Sequence, residues 1–130
     1  MSTLKVDSIG KTTGSTQDTM AGMAKVRAQY LGNTNTLQTG ALNNSTVTDN
    51  GTGDYTHNFS TNFSDVKYSV HGSNQRSQDN TITVHNYDVK DNTARATNQV
   101  NMESYYVYSS VNRTNFDFGH NDLLCLGDLA

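Results

Sequence analysis

The chain contains no proline and no tryptophan, a single cysteine, and charged residues that make up only 16% of its length. The missing proline and tryptophan separate neither of the two common antiparallel architectures, sandwich and barrel. The lone cysteine, Cys125, excludes an intrachain disulfide. Its setting, between leucines in LLCLG, reads as a small buried hydrophobe rather than a reactive thiol. There is no excess of positive charge: nine Lys and Arg are spread along the chain against twelve Asp and Glu, which argues against a nucleic-acid partner. Long apolar runs are also missing. The first residues carry neither the roughly 7–15-residue apolar core of a signal peptide nor the ~20 apolar residues of a membrane helix, so a protein soluble where it is made, without membrane insertion, is expected.

Hydrophobic residues amount to 33%, which leans toward the composition of disordered chains. Two features oppose disorder. The formal net charge is only -3, so self-repulsion is weak, and seven Tyr with four Phe provide large apolar anchors of the kind that pack on sheets. Most of the remaining residues are Thr, Asn and Ser. Such a chain is expected to form β-structure with a modest core, completed by oligomerisation that covers sheet edges and half-buried faces.

The most informative segment runs from Val47 to Val70, where alternating patterns flank a glycine-punctuated turn. Asn50 and Gly51 tolerate positive φ, Gly53 adds another such position, and Asp49 and Asp54 are placed to bond back to nearby backbone N–H groups. Beyond the turn, Tyr55, His57 and Phe59 alternate with Thr56 and Asn58, which places the first set on a buried face. Further strands are expected at Ala24–Leu31, Thr36–Leu42, Ser45–Asp49, Val66–Gly72, Thr81–Asp88, Gln99–Met102, Tyr105–Asn112 and Leu123–Leu129, with turn clusters between them. The result is an all-β antiparallel sandwich or jelly-roll-like domain over residues 23–130. It is preceded by an extended arm over residues 1–22, in which Leu4, Val6 and Ile9 mark a short strand. The Gly, Thr and Ser-rich stretch from Gly10 to Gly22 has little to bury, so a partner surface is expected to order it.

No catalytic constellation emerges. Gly10-Lys11-Thr12 resembles the end of a phosphate-binding loop, but Lys5 stands where that motif needs glycine. The four histidines, His57, His71, His85 and His120, show no metal-ligand spacing and are expected on strands, facing water or bonded to a neighbour. Asp49, Asp54 and Asp65 lack the order of a calcium loop and are better explained as turn caps. Ser109 and Ser110 lie in no nucleophile elbow. The N-x-S/T sequons at Asn44, Asn50, Asn58, Asn62 and Asn112 follow from composition. Tyr105, Tyr106 and Tyr108 are candidates for subunit-interface packing or for stacking on a glycan. No enzyme activity, cofactor or metal is expected.

The block STVTDNGTGDYTHNFSTNFSDVKYSV resembles the recurrent hairpin of small tail-fibre and appendage-type virion structural proteins of marine and freshwater tailed bacteriophages. The opening MSTLKVDSI is similar to their N-terminal strand, and the closing LGDLA to their C-terminal ending. The chain departs from the pattern at Val26, Arg27, Ala28 and Gln29, where Trp is common, and at His57, where an aliphatic residue is usual. The resemblance implies a non-enzymatic virion component, a homotrimeric fibre or appendage at the tail or neck, with other virion proteins as partners. A capsid decoration protein is the alternative within that class. A carbohydrate-binding module that recognises the host surface is the alternative outside it.

Overall fold

The computed structural model describes residues 24–75, 84–91, 95–109 and 112–130, with the backbone alone at 84, 85, 108 and 109. The proposed arm, with Leu4, Val6 and Ile9, lies outside the described residues, as do Thr81 and the side chains of His85 and Tyr108.

Alternation sets the strands. In β1 (Ala24–Leu31), Val26, Ala28 and Tyr30 are buried while Arg27 and Gln29 are exposed. In β4 (Asp54–Phe59) the buried positions are Tyr55, His57 and Phe59, and in β10 (His120–Leu126) they are Asn121, Leu123 and Cys125. A period of two with one buried face is the signature of a sheet packed on one side. The remaining strands are β2 (Thr36–Leu37), β3 (Asn44–Gly51), β5 (Ser69–Gln75), β6 (Val84–Val89), β7 (Arg95–Ala96), β8 (Gln99–Ser109) and β9 (Asn112–Asn115).

These strands form two antiparallel sheets packed face to face. The first has the order β2-β1-β10-β5 and the second β3-β4-β8-β6. The long strand β8 serves several partners: β4 pairs with its first half and β9 with its second, while β7 and β6 follow one another along its opposite edge. The chain crosses between sheets from β2 to β3, β4 to β5, β5 to β6 and β9 to β10, so each sheet draws strands from distant parts of the sequence. At the β5–β6 side the sheets nearly touch. A Cβ on Gly72 would lie 2.0 Å from the Tyr87 carbonyl oxygen, so only glycine fits there, and the Asn74 amide donates to the Asn86 carbonyl at 2.7 Å.

The core is aromatic, and β4 threads it. Tyr55 meets Tyr30 edge-on at 4.9 Å, and His57 packs between Tyr30 and Tyr87. Further along, Phe59 contacts Phe63 and Tyr68, which stack on each other at 4.2 Å. Tyr68 reconciles its hydroxyl with burial by sharing its one proton between the Ala96 and Gln99 carbonyls. Val100, Met102, Leu123 and Cys125 fill the space between the rings. The hydrophobic supply is small but concentrated in large side chains, which pack into one core among the described residues.

Several expected boundaries shift, each for a local reason. Thr36–Leu42 is a strand only at Thr36–Leu37, because Gly40 at φ 85° bulges the chain away before Leu42 bridges back to Arg27. Val66–Gly72 begins at Ser69, since the Asp65 carboxylate accepts from the Lys67 N–H and turns the chain there. Gln99–Met102 and Tyr105–Asn112 are not separate strands; Glu103 and Ser104 remain within β8, where Glu103 is paired with Arg113 at 2.7 Å and Ser104 donates to Asn121 at 3.0 Å. Leu123–Leu129 starts earlier, at His120, and ends at Leu126, leaving Leu129 as an isolated bridge to Phe63.

Candidate functional site

The hairpin of β3 and β4 forms as its sequence predicts. Gly51 and Gly53 both have positive φ, 132° and 66°, and the Asp49 carboxylate accepts from the Gly51 N–H at 2.9 Å. The register shifts between Asp49 and Gly51, a bulge at Asn50. Asp54 has a different task from the expected cap. Its carboxylate takes an ion pair from Lys90 and a hydrogen bond from the Asn50 amide. The group that secures Gly53 comes from far away in the chain: the Asp117 carboxylate accepts from the Gly53 N–H at 2.7 Å and from the Tyr55 hydroxyl at 2.6 Å. Burial, reinforced by that bond, pushes the Tyr55 phenol well above its usual range.

The histidines separate by environment. His57 is fully buried; its Nδ1 lies 2.8 Å from Asn44 Oδ1 and its Nε2 2.5 Å from the Tyr87 hydroxyl. Because Asn44 donates its amide to the Thr46 carbonyl, its Oδ1 faces the ring as an acceptor. The neutral tautomer therefore carries its proton on Nδ1, and the Tyr87 hydroxyl donates to Nε2. Burial drives the His57 pKa down to about 3 and raises that of Tyr87, so both remain neutral. His71 is exposed on β5, and His120 is half-buried at the start of β10. Among the described residues no group of His, Cys, Asp and Glu is assembled to hold a metal ion.

The tyrosine cluster divides between faces, as alternation on a strand requires. The Tyr105 hydroxyl donates to Asp88 at 2.7 Å, and the Arg113 guanidinium lies 4.9 Å from its ring centre. Tyr106 turns the other way, against the Phe116 ring. On the Tyr105 side, β3, β4 and β8 carry a net of short polar side chains. Asn50 donates to Thr56, Thr56 to Asn101, and Asn58 to both Thr46 and Thr48.

The outer face of the other sheet holds a groove of about 560 Å³, and no sequence motif marks it. Pairing places two rows of side chains across three strands. Arg27, Leu124 and His71 lie in one row, and Gln29, Asp122 and Ser73 in the next. The bulge at Thr39–Ala41 forms a wall beside Arg27. Its Gly40 carbonyl accepts from the Arg27 guanidinium at 2.9 Å, while the Gln29 amide donates to Asp122 at 3.0 Å. Only the strand register joins residues this distant in sequence. Alternation at Arg27 and Gln29 was the available signal that they point outward.

No family model, no curated protein and no solved structure matches this chain.

Proposed function

We propose that the protein is a non-enzymatic structural component of a tailed-phage virion, a homotrimeric fibre or appendage module of the tail or neck. The observation that carries this reading is the hydrogen-bonded Thr and Asn net on the outer face of β3, β4 and β8. It clothes an aromatic core in a water-compatible surface stiffened by side-chain bonds rather than by bulk, which suits a module that holds its shape outside the cell. The ordered resemblance at the beginning, middle and end of the chain points to the same class. Exposed Leu42, Val66 and Phe116, with the outer edge of β3, which pairs with no further strand among the described residues, give a neighbouring subunit something to cover.

Quantitative mass spectrometry of purified particles, with a density map of the virion, tests the proposal. A few to a few dozen copies per particle at the tail or neck is the expected result. Hundreds of copies on the capsid would instead assign a decoration role, and absence from purified particles would overturn the virion reading. For the host-glycan alternative, Tyr105 and Tyr106 point to opposite faces and Tyr105 is engaged by Asp88, so these two rings do not form one stacking surface.

A further inference from the structure

We propose that the groove on the outer face of β1, β10 and β5 binds an acidic sugar residue, a uronic acid unit of a polysaccharide. Its carboxylate would sit on Arg27, its hydroxyls on Asp122 and Gln29, and its C–H face on Leu124. The assignment does not depend on a virion role.

Size and chemistry converge. A volume of about 560 Å³ falls within the range of small-molecule sites and accommodates one or two sugar rings. Arg27 is exposed, and among the described residues its guanidinium makes no ion pair; it donates to a neutral carbonyl, that of Gly40. That bond uses one of five donors and holds the planar fork at the wall of the groove, leaving the rest for a bidentate carboxylate. One row further on, Gln29 fixes one carboxylate oxygen of Asp122, and the second oxygen and the amide oxygen remain as acceptors for adjacent hydroxyls.

Leu124 lies between Arg27 and His71 in its row and supplies the apolar contact that the C–H face of a pyranose needs. His71, exposed and without a hydrogen bond among the described residues, closes the far end. The charge pattern selects within the class. A ligand with one carboxylate and several hydroxyls satisfies Arg27 without crowding Asp122, whereas a dianionic phosphate would meet the Asp122 charge across the same small floor. Because Arg27, Gln29 and Asp122 are already tied in place, little side-chain ordering opposes binding.

The test is a titration of the ¹⁵N-labelled full chain with trigalacturonic acid and, separately, with its neutral methyl ester. The expected result is amide shifts centred on Arg27, Gly40, His71 and Asp122, with the ester binding roughly tenfold more weakly through loss of the charge-assisted pair. Arg27→Gln should bring the acid down to the level of the ester at an unchanged melting temperature. Asp122→Ala should weaken both ligands alike. The proposal is overturned by the absence of shifts with either ligand at millimolar concentration, by equal affinity for acid and ester, by shifts centred on Tyr106 instead, or by unaltered affinity in both variants. None of these outcomes bears on whether the chain occurs in virions, which particle composition decides separately.

Discussion

His57 shows how much one buried side chain can demand of its surroundings. The alternation in β4 that places Tyr55 and Phe59 in the core places an imidazole there as well, and the fold meets its two nitrogens with Asn44 and Tyr87. Because the folded pKa is depressed from 6.5 to about 3, the unfolded chain takes up a proton at a pH where the folded one refuses it. The stability due to this site is fully present above pH 6.5 and is lost as the pH falls toward 3, with a slope of about 1.4 kcal/mol per pH unit. Urea unfolding at a series of pH values between 7 and 4 should show that slope, and His57→Leu should remove its contribution. At neutral pH the same variant should cost roughly 1–3 kcal/mol, since Asn44 and Tyr87 lose their partner. Cys125 is the second residue whose chemistry burial decides. With its pKa raised to about 12, the thiol should resist a disulfide reagent at pH 8 in the folded protein and react fully once unfolded. Rapid labelling of the native state would contradict its place in the core.

At the scale of the element, the β3–β4 turn separates two glycines that look equivalent in sequence. Gly51 has positive φ but open space around it, so Gly51→Val should cost about 1–3 kcal/mol through backbone strain alone. Gly53 has positive φ and no room. A Cβ there would lie 2.3 Å from the Ser104 carbonyl oxygen and 2.8 Å from the Phe116 nitrogen, both backbone atoms that cannot swing aside. Gly53→Ala should therefore destabilise more than Gly51→Ala, as measured by thermal unfolding of both variants side by side; the reverse order would argue against this packing. The Asn50-Gly51 pattern announced the turn because its chemistry is local. The tighter constraint at Gly53 was not legible, since it arises from β8 and from the segment that leads into β10.

For the whole molecule, the residues from Val26 to Cys125 pack into one aromatic core among those described, and residues 1–22 are the proposed anchor to the particle. Deleting them should shift the melting temperature by only a few degrees, in line with a change of about 1 kcal/mol or less, while abolishing incorporation into particles. Light scattering should report a trimer for the full chain. A monomer whose incorporation survives the deletion would sink the assembly proposal.

By itself the sequence determined the all-β class, the positions of β1, β4 and the β3–β4 hairpin, and the inward set Tyr55, His57 and Phe59. Those follow from a period of two and from turn residues, which act over a few positions. Only the tertiary structure decided that Asp117 caps Gly53, that β8 runs unbroken through Glu103 and Ser104, and that Arg27, His71 and Asp122 share one groove. Each of these depends on which strands become neighbours and in what register. Register is set by the fit of large aromatic side chains between two sheets, a property of the packed core that no short stretch of the chain contains.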